Sequence, residues 1–529
     1  MPIIRSLART AMLSGILLLT KGCTALLPDR PPAAPEAVNT CRVLLERTDQ
    51  ALSADGTANA ASFRIEGFPY LRTDRFLAAL EPRLVTREQT QAWLEAMHTL
   101  DRQARRKEIA NLSASRLEAL TADGPNGPDR KALGRRVTDC TRTLFTYHRY
   151  ETDLRARLRG RIEVPDEYRT WRRLVGLYPL AALPVAIVTA SVYDEFREWH
   201  ATAPEDLPVV GRLETMRPEA APGNENFDPH VLIRPERLNA LGLPELSTED
   251  QRRLAAHFAP VITQDTAADF DRVGTPVWKD GRLGVDTGRP AVYYYITFGL
   301  LGRHPVLQIN YVFWYPRRDG GNAPWIERGP LDGITVRISL DHRARPFMVD
   351  LMNTCGCYHF FIPERAAVRS VRAITLEIDP LVPGWLPPGL PARRLHLRVN
   401  TGWHQVQHVG TVAASPGGKT YRLEPYDRLE ILPDADGGVR SMFDADGIAH
   451  DSERIEPLIF FSMGIPDIGS MRQRGHHAIR LVGQAYFDDP LLFEKSFEFD
   501  RDYLGIADAD DDTRDHHPPF AQRLEESNP

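Results

Sequence analysis

A chain of 529 residues can bury more than one core, and length alone sets an expectation of about two to four domains. A hydrophobic fraction of 42% and a charged fraction of 26% are ordinary for a globular protein. Net charge is −6 and the 65 basic residues are spread without a basic, aromatic-interleaved patch, so no nucleic-acid partner is expected.

Residues 1–22 read as an export signal. Arg5 and Arg9 make a positive start, and residues 11–19 form an uncharged apolar run too short to persist as a membrane-spanning helix. Leu19-Thr20-Lys21-Gly22-Cys23 follows and resembles the signal of bacterial lipoproteins, although Lys21 stands where a small residue is usual. The resemblance implies lipidation of Cys23 and anchoring to a membrane on the periplasmic side of the envelope. Thr24 favours the outer membrane over the inner. Residues 23–35 carry Pro28, Pro31, Pro32 and Pro35 and read as a stiff, extended tether.

Residues 36–200 read as a helical domain. Val38, Cys41, Leu44 and Leu45 share a stripe of helical period. Asp74 suits the cap of a short helix, and Thr86 with Gln89 the start of a longer one carrying Trp93, Leu94, Met97 and Leu100. Leu133, Val137, Cys140 and Leu144 mark a further helix. Cys41 and Cys140 are therefore expected to form a disulfide across two helices in an oxidising compartment. Residues 174–192 carry no charge, but Pro179 and Pro184 interrupt them. They are expected to form a buried, kinked segment where the helical and β portions meet. The alternative is peripheral membrane contact, with Trp171, Tyr178 and Tyr193 at the interface.

Residues 201–247, rich in proline and charge, read as a linker. Residues 248–500 read as a β-rich domain, with strands expected at 292–298, 307–315, 334–340, 347–352, 368–378, 395–412, 428–432, 458–461 and 479–487, among others. The expected fold class is α+β, an N-terminal helical bundle followed by a largely antiparallel β sandwich or barrel. Residues 501–529 read as a disordered acidic tail.

The densest run of reactive side chains is Cys355-Gly356-Cys357-Tyr358-His359. If it stays extended, Cys355, Cys357 and His359 project to one face. Two thiols and an imidazole suit zinc or copper, and, as a second reading, a nucleophile beside its base. His404 and His408, four residues apart, are candidates to complete a metal site, with His396 joining them if residues 395–412 form one strand. Packing of small cysteines and satisfied histidines is the plain alternative. Three functions stay open: an envelope protein binding a metal or small ligand at this stretch, a cysteine- or metal-dependent hydrolase, and a structural or interaction protein. Arg472, Arg474 and Arg480 are candidates for an anionic ligand, and the Asp-Ala-Asp-Gly runs at 434–437 and 444–447 suit Asx turns better than calcium loops. The phrases CGCYHFFIP and MRQRGHHAIRLVGQAYFDDP resemble those of an uncharacterised group of bacterial exported proteins, a likeness that implies export and no activity.

Overall fold

The computed structural model describes residues 35–506, apart from 123–128, 152, 222–223, 225, 374–377, 391 and 414–416. Cys23, the tether before residue 35 and the tail from residue 507 lie outside the described residues.

The first helices follow the apolar periods in the sequence. They are α1 (Pro35–Asp55), α2 (Arg75–Leu80), α3 (Arg87–Asn111), α4 (Ala114–Thr121), α5 (Arg130–His148) and α6 (Leu154–Leu158). Asp74 caps α2 by accepting from the Leu77 amide, and Thr86 and Gln89 form a reciprocal capping box at the start of α3. Leu45 and Leu52 of α1, Trp93 and Met97 of α3, and Leu133, Val137 and Leu144 of α5 share one core. Cys41 on α1 and Cys140 on α5 are joined by a disulfide with Cα atoms 4.9 Å apart. Closing a loop of about 100 residues stabilises the fold by about 4–5 kcal/mol in the chain-entropy account.

A buried ion network lies behind this core. Arg72 bonds both Glu108 oxygens, at 2.9 and 2.8 Å, and reaches Asp101; Arg105 bonds Asp101 and Asp49. Burial would raise the Glu108 carboxyl, but the Arg72, Arg64 and Arg105 charges prevail and lower it to about 2.

Two more helices, α7 (Thr170–Val175) and α8 (Tyr178–Ala201), leave the helical region, and α9 (Thr248–Phe258) follows later. The rest is built on one ten-stranded sheet. Its strands are β1 (Arg212–Pro218), β2 (Val261–Thr266), β3 (Ala291–Leu301), β4 (His304–Arg318) and β5 (Gly329–Leu340), then β6 (Pro346–Asn353), β7 (Phe360–Pro363), β8 (Arg394–Val399), β9 (Val406–Val412) and β10 (Lys419–Pro425). The order is β7-β6-β5-β4-β3-β10-β1-β2-β8-β9. Six pairings are antiparallel and three parallel, the parallel ones being β3 with β10, β10 with β1, and β2 with β8.

The sheet curls until its two edges share a cover. Phe360 of β7 and His408 of β9 lie 5.2 and 6.4 Å, ring to ring, from His200 of α8. Phe196 of α8, fully buried, sits in one core with Ile362 of β7, Val409 of β9 and Leu254 of α9. The C-terminal part of α8 thus fills the seam of a nearly closed sheet, leaving neither edge as an open template.

Several expectations are corrected. The stretch read as a linker, 201–247, supplies β1, an interior strand held by β10 and β2. Residues 395–412 are two strands around a tight turn at 400–405, because Gly402 and His404 take positive φ angles of 74° and 55°. Residues 426–431 and 461–463 form 3₁₀ turns, and a four-residue helix, α10 (Glu456–Ile459), overlaps the start of 458–461. Residues 479–487 hold only the isolated bridge between Ala478 and Tyr486. Residues 501–504 form a helical turn capped by Asp500 instead of belonging to a tail. The run at 444 is an Asx turn, with Ile448 and Asp446 amides bonded to the Asp444 carboxylate, whereas the run at 434 is a turn closed by the Gly437 amide on the Asp434 carbonyl.

Arg72→Met leaves Glu108 buried with its main partner gone, and is expected to destabilise the protein by about 3–5 kcal/mol. Chemical denaturation measures this, and an unchanged midpoint would show that the ion network is dispensable.

Candidate functional site

The expected half-site at Cys355 is broken by backbone geometry. Gly356 and Tyr358 have φ angles of 94° and 55°, and Asn353 and Cys357 close a turn through an N–H···O bond of 3.0 Å. The strand resumes only at Phe360, so Cys355, Cys357 and His359 do not share a face. A side chain at Gly356 would meet the Ala478 carbonyl at 2.3 Å, which fixes glycine at this corner.

The two thiols stay together, and the imidazole goes elsewhere. Cys355 is buried beside Tyr293, Trp314 and Leu331, with Cys357 against the same cluster. A hydrogen bond from Cys357 lowers the Cys355 thiol against its burial, and the same contact raises Cys357. His359 bonds Asp350 through Nε2 at 3.0 Å, and burial lowers its basicity despite that carboxylate. His408 on β9 faces His200, and His396 bonds Thr263 at 2.7 Å. Among the described residues, no group of three or more His, Cys, Asp or Glu is arranged to hold a metal ion. The five expected ligands do not converge, because both segments that carry them turn where an extended chain was expected.

His404 enters a second buried network. Its Nδ1 is 2.7 Å from Asp332 and its Nε2 is 3.2 Å from Asp271, while Tyr315 stacks on its ring at 4.0 Å. Asp332 also receives two bonds from Arg318, each 2.9 Å, and Arg318 reaches Glu327, which accepts from the Tyr358 hydroxyl and the Trp403 indole. Asp271 accepts further bonds from the Thr401 hydroxyl and the Gly402 and Ala267 amides. Its oxygens are fully engaged, so the network locks the 400–405 turn against β4 and β5. It offers a ligand nothing unpaired.

The other candidate arginines are committed as well. Arg472 pairs with Glu167, and Arg474 with Asp427 and Glu430. Lys107 of α3 joins Asp427 and Glu430, binding the helical region to the β half.

An open cavity does exist where these halves meet. It encloses about 510 Å³ between α2, α3 and the faces of β3 and β4. Asp74, Asp488, Tyr295 and Arg337 supply its chemistry, and Phe63, Phe76 and Phe298 its apolar walls. Burial and the nearby Asp488 charge raise the Asp74 carboxyl, although it accepts from the Leu77 amide. Burial pushes Asp488 the same way, but His477, Arg75 and Arg337 prevail and lower it. His477 Nδ1 stands 3.6 Å from Asp488 Oδ2, close enough for charge and too far for a hydrogen bond. That oxygen and both His477 nitrogens are buried with no hydrogen-bond partner. Behind the wall, Arg337 grips Asp350 at 2.9 and 2.6 Å, and Asp350 holds His359. His359 therefore supports this cavity from behind.

Two carboxyls in one cavity, shifted in opposite directions, can share the work of donating and accepting protons. Sequence reasoning saw Asp74 only as a helix cap and missed Asp488, Tyr295 and Arg337. The one local signal was the acidic pair Asp488-Asp489 after an aromatic stretch, and nothing in it separates a site from a surface turn. Compared with family models, curated proteins and solved structures, the chain matches none of them.

The His404 imidazolium gives a pH test. Burial alone would lower its pKa, but the bonds to Asp271 and Asp332 and their charges raise it. A raised folded pKa stabilises fully below the unfolded value of about 6.5, and that contribution fades as pH rises through the folded value. The stability margin of the parent over His404→Gln is expected to be full below about pH 6.5 and to shrink as pH rises above it. Paired melting curves would contradict the charge assignment if the margin held constant or grew.

Proposed function

We propose that the protein is exported, anchored at the periplasmic face of the envelope through a lipid on Cys23, and holds a small polyhydroxylated ligand in the cavity between its helical region and its sheet. The observation that carries the ligand reading is the pairing of Asp74 and Asp488 in one open cavity of about 510 Å³. That volume lies within the range of small-molecule sites. Carboxylate oxygens accept from vicinal hydroxyls, and Phe76, Phe298 and Tyr295 offer flat faces for the C–H side of a sugar ring. The anchor rests on the resemblance of residues 19–23 to a lipoprotein signal. In this reading the N-terminal helices act as a bundle capping one side of a barrel-like sheet.

Cellobiose, maltose and chitobiose serve as probes by calorimetry and thermal shift. Binding of at least one of them is expected, weakened about tenfold or more by Asp488→Asn. No binding of any probe by the parent, or equal binding by the variant, would count against the cavity and leave a structural or interaction protein.

The opposite carboxyl shifts favour a second reading, hydrolysis of a glycosidic bond with Asp74 as proton donor and Asp488 as acceptor. The rate would rise as Asp488 ionises and fall as Asp74 loses its proton. Asp74→Asn and Asp488→Asn would each lower turnover of a nitrophenyl glycoside by about 10²–10⁴. Full activity in either variant would contradict this reading. Cys355, buried and without a bonded imidazole, lacks the exposed thiolate that a cysteine hydrolase needs.

A further inference from the structure

Most of the uncharged segment 174–192 stands outside the core, in contrast to the burial expected of it. Leu174, Val175, Leu177, Leu180, Leu183, Ile187 and Val188 are 62–72% exposed. On α8 the exposed positions recur at 180, 183, 187 and 188, one face of a helix, and that outward face is the apolar one. The inward face is filled by small side chains such as Ala182, which leaves little to bury.

The face continues onto α10. Trp171 packs edge-on against Phe461 at 5.8 Å, and a side chain at Gly176 would strike Ser462 at 2.6 Å, so α7 lies tight on the 461–463 turn. Beside it, Leu458 is 85% exposed. Scattered exposed apolar residues are ordinary, whereas a contiguous ledge of this kind marks an interaction surface.

Glu163, Asp166 and Asp467 line the recess beside Arg169, Trp171 and Arg172, while the helices of the ledge are themselves one-sided in charge. Between Tyr168 and Tyr193 there is no acidic residue, while Arg169, Arg172 and Arg173 cluster at its start. Arg169 is exposed, and Arg172 stacks on Trp171 at 5.5 Å. Arg173 is committed to the Met463 and Gly483 carbonyls. Glu456, between the exposed Ile455 and Leu458, is buried, and burial with the Cys355 and Glu327 charges raises its pKa to about 9, so it is neutral at pH 7. Aromatic and cationic side chains rimming an apolar helix face are the composition of a bilayer-interface element.

Spanning is ruled out by the same helix. From Asp194 onward α8 carries Asp194, Glu195, Arg197 and Glu198, and its Phe196 is inside the sheet core. The apolar part, residues 178–193, is about 24 Å long, short of the roughly 30 Å hydrocarbon core.

We infer that the ledge formed by α7, the first part of α8 and α10 docks on the surface of an anionic phospholipid bilayer, lying in the interface without crossing it. This contact is independent of the ligand cavity and of acylation at Cys23.

The test uses the full chain with Cys23→Ser, so that no acyl chain contributes, and compares it with the same chain carrying Leu180→Asp, Leu183→Asp and Ile187→Asp. All three positions are at least 64% exposed, so the melting temperature should not change. Flotation with vesicles of phosphatidylcholine and phosphatidylglycerol reads the partition. The parent is expected to float, more strongly than with phosphatidylcholine alone, and the triple variant to partition at least tenfold less. Equal flotation of both proteins, or no flotation of the parent, would overturn the proposal. So would a lipid-free parent dimer, seen by sedimentation, that the triple variant dissolves, since a second copy would then be the occupant.

Discussion

Closure of the sheet on α8 is the constraint from which the rest follows. A ten-stranded curled sheet has two edges, and here both end on the last turns of one helix. Phe196, Trp199 and His200 must stay in the seam, with Trp199 meeting Trp403 at 6.0 Å and Phe196 meeting Phe360 at 5.6 Å. Because α8 is a single rod, fixing its C-terminal turns fixes where its N-terminal turns project. Those turns have no sheet beneath them, and their aliphatic side chains remain in solvent. Pro184 costs the helix one backbone bond and leaves the rod continuous over Tyr178–Ala201.

The other consequence concerns the outer face of the sheet. Every position of β5 from Leu331 to Leu340 and every position of β6 is buried, so the sheet is covered on both sides. The inner side takes the aliphatic residues Ile334, Val336 and Ile338. The outer side takes Thr335, Arg337 and Ser339 beneath the helical region and the C-terminal segment. Burying such residues is tolerable only when each finds a partner. Arg337 with Asp350, and Gln308 with Ser339, are those partners. Where coverage is incomplete, between the helical region and strands β3 and β4, the polar face opens into the cavity that contains Asp74, Asp488 and Tyr295.

What was legible in the sequence was local. The periods at Leu133–Leu144 and at Ile334–Leu340 placed a helix and a strand, and Thr86 with Gln89 placed a helix start. Cys41 and Cys140 lie on such stripes, which is how two positions 99 residues apart come within bonding distance. Alternation along β5 suggested one dry face and one wet face, and it cannot reveal that segments remote in sequence cover the polar side. Gly356 and Gly402 are the turn signals at those corners, outweighed in the sequence by the extended pattern of their flanks, and the further positive φ angles at Tyr358 and His404 complete each turn. The parallel partners of β1 and β10 are distant in sequence, and proline-rich flanks hid β1 altogether. For residues 174–192, composition described the apolar content well and said nothing about which face the fold would leave uncovered.

Hydrogen exchange of the full chain, with and without anionic vesicles, tests most directly whether one helix serves both seam and bilayer. Amides of residues 194–201, locked in the seam, should be protected to the same extent in both conditions. Those of residues 171–188 should exchange readily in solution and slow markedly with lipid. Protection of 171–188 that ignores the vesicles, or seam amides that open as readily as the ledge, would contradict the division of α8 on which the account stands.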